Sequence, residues 1–374
     1  MKNFVSAAAI LAASTSIVSA GGLDRSGQPI GIIFEQGNRV ELSFGYTKPS
    51  VGGTDVLTNS ISSVASNYLT AGVALKYDFN DKISFALIVD EPYGSDVTYP
   101  GSSATTMLGG TRAIVDSYAV TGIGRYKFNE NFSVHGGIRY QEISAGVTLG
   151  GLAYAGLNGY NAEFASDGAF GFLVGGAYER PDIALRVALT YNSKITHNLA
   201  TQETIGGAPV AAPGSTEVVA PESINLDFQT GIAKDTLLFG SIRYARHSQV
   251  IVSPAFFDTA LGPTPGDSLT SLENSLDFTV GIGRRFNDQW SGFVSYTQNS
   301  KGDDDLVSPL APTNGSKAIT IGGKYTMDAV EISGGIRYTK LGDARPETGT
   351  PDVARANFTG NSAVSAGLKI AYKF

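Results

Sequence analysis

VSAGLKIAYKF, residues Val364 to Phe374, closes the chain, and two kinds of side chain alternate along it. Every second residue is apolar or aromatic, whereas the residues between them are small or, at Lys369 and Lys373, cationic. Because side chains of a β-strand point alternately to opposite faces, the stretch predicts a strand with one apolar and one polar face. In a soluble sheet the apolar face would point to a core, whereas in a membrane barrel it points to lipid.

The same alternation recurs along most of the chain, in the stretches 40–47, 134–141, 185–192, 224–232, 319–326 and 331–339. One face holds Ile, Leu, Val and aromatic residues, and the other holds charged, polar or small residues. A wide barrel with charges inside and apolar residues outside is unsuited to water. In a lipid bilayer the same arrangement is favourable, because the apolar side chains face lipid and closure of the barrel pairs every backbone donor and acceptor. We therefore predict an all-β, antiparallel transmembrane β-barrel, although the stretch 237–244 shows no clear phase.

Short and long connections alternate between the predicted strands. Tight turns are predicted near residues 80–81, 129–130, 180–181, 234–235, 287–288 and 327–328, and longer polar loops at 50–66, 100–111, 150–163, 197–216, 254–271, 301–315 and 342–358. This pattern predicts about fourteen strands, with both chain ends on the short-turn, periplasmic side of an outer membrane. Aromatic residues beside the short turns, such as Tyr77 and Trp290, predict a girdle at one membrane boundary.

Composition excludes several other classes of protein. The absence of cysteine excludes disulfides, thiolate metal sites and cysteine nucleophiles. A net charge of -7 argues against nucleic acid as a partner. Only three histidines are present, so there is little material for a metal centre, and we expect neither a metal nor a cofactor.

The first 20 residues predict a secretory signal peptide. Lys2 is followed by an apolar run from Phe4 to Val18, and Ser19-Ala20 completes a cleavage site. A membrane anchor is the alternative, but the run is short and is broken at Ser14-Thr15-Ser16. We therefore divide the chain into residues 1–20 as signal peptide, 21–37 as a short N-terminal hatch, and 38–374 as barrel.

Several motifs resemble the FadL/TodX family of outer-membrane transporters for long-chain fatty acids and hydrocarbons. They are Glu41–Tyr46 in the first strand, Asp90–Asp96 in the third, Tyr191–Ile195 ending the seventh, Ala220–Gly231 after it, and Phe374 at the end. The resemblance implies a 14-stranded barrel plugged by a luminal hatch in a Gram-negative outer membrane. It also implies passive, sideways release of hydrophobic molecules at a kinked third strand. The family's Asn-Pro-Ala hatch element is absent from residues 21–37.

The third strand carries a physical reason for a kink. Pro92 lacks an amide donor and Gly94 lacks a side chain, within an otherwise continuous strand, so Pro92, Tyr93 and Gly94 predict a local opening of the ladder. We expect ladder groups to be left unpaired there, facing a cavity. The alternative is an ordinary strand end, because Pro100 follows soon after.

Candidate substrate residues lie on the predicted inner face. An amphiphile carboxylate needs a cation, and the candidates are Arg139, Arg186, Lys324 and Arg337. Their alternative role is in ion pairs that fill the barrel, with partners such as Asp227 and Glu331. Three further residues are candidates for an apolar groove or, alternatively, for the lipid-facing surface: Phe164, Phe170 and Phe172.

Other functions are less favoured by the sequence. No nucleophile and base occur together on one face, so we expect no enzyme. Asp303-Asp304-Asp305 is more typical of a solvated loop than of a calcium site. A general diffusion porin or a structural outer-membrane barrel remain the alternatives. Phe374 resembles the terminal aromatic residue that barrel-assembly machinery recognises. We expect a monomer in outer-membrane lipid, with a hydrophobic small molecule as substrate.

Overall fold

The computed structural model describes residues 23–260, 266–349 and 352–374, so the signal peptide expected at 1–20 lies outside the described residues. A closed antiparallel barrel of 14 strands confirms the predicted fold. Its strands are β1 Arg39–Ser50, β2 Tyr68–Asp78, β3 Ile83–Asp90 and Gly94–Thr98, β4 Arg112–Lys127, β5 Phe132–Leu149, β6 Tyr160–Arg180, β7 Leu185–Asn192 and Ile195–Ile205, β8 Gly214–Ala220 and Ser223–Ala233, β9 Thr236–Ala245, β10 Ser275–Arg285, β11 Trp290–Asn299, β12 Ser316–Met327, β13 Val330–Leu341 and β14 Ser362–Lys373.

The first and last strands close the barrel. β1 pairs with β14 over the whole length of both, from Arg39 opposite Lys373 to Ser50 opposite Ser362. Each strand is antiparallel to its sequence neighbours, and their ladders pair backbone donors and acceptors around the ring except beside the interruption of β3. No helix in the described ranges has the length and apolar character needed to span a bilayer.

The two faces of the wall are those that the alternation predicts. On β13, Ile336 is 64% exposed to the outside, whereas the next residue, Arg337, is 2% exposed and points inward. In β9, which the sequence left without a phase, Leu237, Phe239 and Arg243 face inward. Phe239 and Phe293 pair inside the barrel with ring centroids 6.0 Å apart. The girdle residues Tyr77, Phe79, Tyr126, Phe128, Phe286, Trp290, Tyr372 and Phe374 are all exposed.

Short turns gather at one end of the barrel, called the turn end here, and longer connections at the opposite loop end. Two predicted loops were too long. β6 already begins at Tyr160, and most of 197–216 is strand, because β7 continues to Ile205 and β8 starts at Gly214. Inward-facing and outward-facing side chains still alternate there, and the inward-facing ones are His197, Leu199, Thr201 and Glu203. This alternation favours a strand, although the many small and polar residues suggested a loop.

Short elements lie in the connections and in the N-terminal segment. The 3-10 helices are Gly31–Phe34, Leu152–Leu157, Pro181–Ile183 and His247–Gln249, and a short α-helix spans Phe257–Ala260. Small strands lie at Gly53–Asp55, Ser60–Ile61, Ala208–Pro209, Leu306–Val307, Arg345–Thr348, Val353–Ala354 and Ala356–Phe358.

Three neighbouring strands change phase part-way up the wall. In β6 the pairing register with β5 shifts between Ile143 and Ala145, and the residues that face inward change from even-numbered to odd-numbered. β7 and β8 are each divided into two segments, at residues 193–194 and 221–222. An extra residue in one strand produces such a bulge and bends the wall.

Candidate transport site at the interrupted third strand

The wall opens between β2 and β3. The lower segment of β3 pairs with β2 only from Ser84 to Val89. Its upper segment pairs with β4 instead, beginning with Gly94 opposite Asp116. Within the described ranges no ladder joins residues 68–72 of β2 to β3. The Glu91 carboxylate partly replaces it, since its Oε1 accepts a hydrogen bond from the Ala71 amide at 3.2 Å.

The N-terminal segment, residues 23–38, binds the interruption from inside. The Arg25 amide donates to the Pro92 carbonyl at 2.9 Å, and the Ser26 amide donates to the Glu91 carbonyl at 3.1 Å. The Gly94 amide donates to the Leu23 carbonyl at 2.8 Å. The expectation of unpaired ladder groups was therefore wrong: a segment about 68 residues earlier in the chain supplies the partners that β2 withholds.

Gly94 provides the space for this contact. A Cβ atom at residue 94 would collide with Nε of Arg25, so no larger residue fits while Arg25 stays in place. The guanidinium of Arg25 lies 3.8 Å from the ring centroid of Tyr68, on β2. Arg25 thus bridges the two strands that the ladder leaves apart.

Asp24 anchors the segment to the opposite wall. Its two carboxylate oxygens accept hydrogen bonds from Nε and Nη2 of Arg243, at 3.0 and 3.1 Å. His247 Nε2 is 3.7 Å from Asp24, and its Nδ1 is 3.2 Å from Ser275 Oγ. Ser, His and Asp are residue types of a hydrolytic triad, but here Asp24 is fully engaged by Arg243, so we assign the group to anchoring.

The charge of Asp24 is stabilised despite its burial. Burial disfavours the carboxylate, but the Arg243 guanidinium and His247 more than offset it, so the pKa of Asp24 lies well below its usual range. Gln28 adds a second anchor, since its Oε1 accepts from Ser223 Oγ at 3.0 Å.

An apolar turn follows these anchors. In the 3-10 helix Gly31–Phe34, the side chains of Ile32, Ile33 and Phe34 are buried. Two guanidinium groups contact the Phe34 ring, that of Arg125 at 4.7 Å and that of Arg186 at 4.9 Å from its centroid, and the His135 ring is 5.5 Å away. These cation–π contacts help to hold the turn inside the barrel.

Two cavities meet at this turn. One of about 130 Å³ adjoins the opening. Its lining combines apolar residues such as Phe44, Val73 and Ile88 with charged ones: Glu35, Glu41, Asp90, Glu91, Arg186 and Lys369. The other, of about 520 Å³, opens at the turn end beside Asp81, Lys127 and Glu130. Glu35 and Arg186 border both, so they form the partition between the opening and the turn end.

A sequence model of the family described as outer membrane protein transport protein (OMPP1/FadL/TodX) matches residues 35–343. The chain belongs to this family. It is accordingly an outer-membrane protein of a Gram-negative bacterium, and the predicted family resemblance is confirmed. No curated protein sequence matches the chain.

Solved structures of the family share the fold at low sequence identity. A FadL homologue of Pseudomonas aeruginosa superposes with a TM-score of 0.71 at 15% identity, over 99% of both chains. The toluene transporter TodX of Pseudomonas putida gives 0.65 at 12% identity, over 96% of this chain and 98% of its own. The toluene transporter TbuX of Ralstonia pickettii gives 0.63 at 14% identity, over 100% of both chains.

The four cations suggested by the sequence all lie on the inner side of this FadL/TodX-family barrel, but apart from one another. Lys324 is 3.2 Å from the Glu331 carboxylate. Arg139 donates to Thr121 at 2.9 Å and to Asn192 at 3.1 Å, and Arg337 donates to Thr339 at 3.3 Å. Among the described residues Arg186 has no hydrogen bond or ion pair, and it is the one that borders the cavity at the opening.

The three phenylalanines divide between the two faces. Phe164 is buried inside, whereas Phe170 and Phe172 are 70% and 54% exposed on the outer surface. An interior groove built from all three is therefore wrong. The bulge in β6 reverses the facing side between residues 164 and 170, so Phe170 and Phe172 take the lipid-facing alternative.

The sequence missed the residues that hold the N-terminal segment. Arg243 and Asp24 lie 219 residues apart, and nothing local in the chain connects them. A clear alternation along β9 would have placed Arg243 on the inner face of the barrel. The alternation is obscured because two apolar residues, Leu237 and Phe239, also lie on that face. No group of three or more potential metal ligands occurs within residues 23–260, 266–349 and 352–374.

Proposed function

We propose that this protein lets hydrophobic small molecules diffuse passively across the outer membrane, and that they leave sideways between β2 and β3. The observation that carries the proposal is the opening itself. The ladder between these strands ends at Val73 and Val89, and a cavity lined by both apolar and charged side chains adjoins this end. An apolar molecule leaving here reaches lipid without crossing the aqueous periplasm.

The N-terminal segment serves as the hatch in this proposal. It carries the bonds that β3 cannot make to β2, and its Arg25 occupies the space above Gly94. Release therefore requires Arg25 and Ser26 to give up their contacts with β3, while the side chains of Asp24 and Gln28 keep the segment attached to Arg243 and Ser223. Ion pairs and stacking hold this segment, as between Asp24 and Arg243 and between Arg25 and Tyr68.

Long-chain fatty acids and aromatic hydrocarbons both fit the proposed route. Two of the similar structures are toluene transporters. For a fatty acid, the head group would meet Arg186 at the cavity wall and the tail would lie against Phe44, Val73 and Ile88. We further propose a monomer embedded in outer-membrane lipid and folded by the barrel-assembly machinery.

A reversible staple across the opening tests lateral release. Ala71→Cys with Glu91→Cys places two thiols where the Glu91 side chain now contacts the Ala71 amide, in a chain that has no other cysteine. Oxidation should lower uptake of toluene and oleate into intact cells to the level of a strain without the protein. A reductant should restore uptake in the same sample.

A matched control lies lower on the same seam. Leu75 and Leu87 face each other in the intact part of the β2–β3 ladder, so Leu75→Cys with Leu87→Cys should have no effect on uptake in either redox state. Undiminished uptake by the oxidised Ala71/Glu91 variant would exclude lateral release. A steady ionic conductance in the same protein would then favour the porin.

A further inference from the structure

Three exposed lysines lie close together on the outer surface of the barrel: Lys48 on β1, Lys317 on β12 and Lys340 on β13, called the lysine row here. Lys317 and Lys340 are directly opposite each other in the ladder between β12 and β13. Only β14 separates Lys340 from β1, since Lys340 pairs with Ser362 and Val364 pairs with Lys48. From the spacing of strands and residues, the backbone at Lys48 is about 12 Å from that at Lys340.

The lysine row stands at the height where the wall leaves the hydrocarbon. Counted from the turn end, Lys48 is the tenth residue of β1, and Lys317 and Lys340 are the eleventh of β12 and β13. A strand crosses the hydrocarbon in about 9–11 residues. The next outward residues below Lys48 and Lys340 are two exposed tyrosines, Tyr46 and Tyr338, and tyrosine is typical of the membrane boundary. With the short turns in the periplasm, the three ammonium groups lie among the head groups of the outer leaflet.

The lysine row has no anionic partner in the described part of the chain, where none of its side chains makes an ion pair or a hydrogen bond. The outward residues beside it in the ladders, Gln298 and Ser362, are neutral. Like charges directly opposite on neighbouring strands repel each other and destabilise the pair. The facing ammonium groups of Lys317 and Lys340 therefore leave a place that an anion from outside the protein would stabilise.

The opposite side of the barrel differs at the same height. On β5 the eleventh residue from the turn end is Glu142, whose carboxylate accepts hydrogen bonds from the hydroxyl groups of Tyr118 and Ser166. Just beyond the end of β9, Arg246 is neutralised by Glu222 at 2.6 Å. An anionic head group is thus repelled at β5 and attracted at β12, β13 and β1.

We propose that the lysine row binds a phosphorylated glycolipid of the outer leaflet, with one phosphate between Lys317 and Lys340 and a second at Lys48. Ammonium groups form charge-assisted hydrogen bonds with phosphate oxygens. A lipid with a single phosphate would occupy only one end of the row. The acyl chains lie along exposed apolar side chains below it, namely Ile319, Ile321, Ile336 and Tyr338.

A lipid held in this way stabilises the closure of the barrel. Lys340 and Lys48 belong to the strands on either side of β14, so one bound molecule spans the last strand and both of its ladders. A ligand that binds the folded barrel and not the unfolded chain raises the stability of the fold. The proposal concerns the outer surface and does not depend on the route proposed for hydrophobic molecules.

Binding of purified lipid A is the test. The probe is diphosphorylated lipid A, added to the purified protein in dodecyl maltoside micelles, and native mass spectrometry counts the bound molecules. The native barrel should bind one molecule, and Lys48→Gln/Lys317→Gln/Lys340→Gln should bind it roughly tenfold more weakly or worse, because its charge-assisted contacts to phosphate are lost. The melting temperature of the barrel, followed by circular dichroism, should rise on addition of lipid A for the native protein and not for this variant.

Matched variants separate the row from net charge. Lys82→Gln/Lys194→Gln/Lys234→Gln removes three exposed lysines elsewhere, two in turns and one in the break of β7, and should keep the native affinity. Arginine at all three positions of the row should also keep it. Dephosphorylated lipid A, which has the same acyl chains, should bind the native protein only as weakly as the glutamine variant binds the diphosphorylated form. Added salt should weaken the native interaction.

Equal binding of diphosphorylated lipid A by the native protein and the glutamine variant of the row would overturn the proposal. Equal binding of the dephosphorylated lipid would do the same, because the acyl chains alone would then account for the affinity. If monophosphorylated lipid A bound as tightly as the diphosphorylated form, the second phosphate at Lys48 would be excluded. Displacement of the lipid by an excess of inorganic phosphate would show an anion site that needs no lipid, which also contradicts the proposal.

Discussion

The hydroxyl of Tyr93, in the interruption of β3, lies 3.4 Å from the carbonyl oxygen of Pro221, in the interruption of β8. The Tyr93 ring is buried against Ile195 and Ala220, which flank the breaks in β7 and β8. The inward bend of one wall therefore meets the irregular part of another. The N-terminal segment reaches the same ring, through a bridge between Asp24 and Tyr93 and a hydrogen bond from Gln28 Nε2 to the Tyr93 hydroxyl at 3.4 Å.

Truncating Tyr93 should open an aqueous path. Tyr93→Ala removes a buried ring, which costs on the order of 3 kcal/mol of local packing and leaves a void between the two walls. We expect a steady ionic conductance in planar bilayers for this variant and none for the native protein. Tyr93→Phe keeps the ring and should stay silent. A closed Tyr93→Ala channel would show that the constriction lies elsewhere.

The contact of Asp24 with Arg243 should behave as one unit. Arg243→Met leaves a buried carboxylate without its partner, which typically costs about 3–5 kcal/mol, and residues 23–34 should become sensitive to protease. Adding Asp24→Asn should restore much of the protection, because the unpaired charge is then gone. Equal protease sensitivity of the single and double variants would contradict this coupling.

The two carboxyl groups of the N-terminal segment should respond to pH in opposite directions. Burial raises the pKa of Glu35, and Arg39 and Arg186 only partly counter it. Docking of the segment should therefore strengthen as pH falls through the raised pKa of Glu35, because the docked form then binds more protons. Asp24 has a lowered pKa, so its contribution is kept down to about pH 4 and is lost only in stronger acid.

Hydrogen exchange of residues 30–34 measures this dependence. Glu35→Gln should remove the change in protection above about pH 4 and leave the loss in stronger acid intact. Protection that falls steadily from neutral pH in the native protein would contradict the assignment to Glu35.

Head-group recognition should separate fatty acids from neutral hydrocarbons. Arg186→Met removes a cation that makes no ion pair among the described residues, and its stacking on Phe34 contributes only about 0.5–1 kcal/mol. Oleate uptake should fall several-fold while toluene uptake stays unchanged.

Arg139→Met is the second test, although it also breaks bonds to Thr121 and Asn192. Arg284→Met, an exposed cation at the turn end, is the control. Unaltered oleate uptake in both variants would remove Arg139 and Arg186 as head-group residues.

The sequence predicted the barrel because each strand crossing repeats the same two-residue period. Val364 to Phe374 and residues 40–47 needed only their own alternation to be placed on the correct faces. The same reasoning failed at Phe170 and Phe172, because a bulge keeps the period on either side and changes the phase between them. Pro92 and Gly94 indicated an interruption, but its partners, Leu23 to Ser26, are distant in sequence and make backbone bonds that leave no side-chain pattern.

The seam between β1 and β14 also governs when the barrel can form. It joins the first barrel strand to the last, as where Arg39 pairs with Lys373, so its contacts have a larger sequence separation than those between any other neighbouring strands. Until the final residues have been synthesised and exported, β1 presents an unsatisfied edge that is open to pairing with other chains. Whatever carries this polypeptide across the periplasm must therefore shield its beginning until its end arrives.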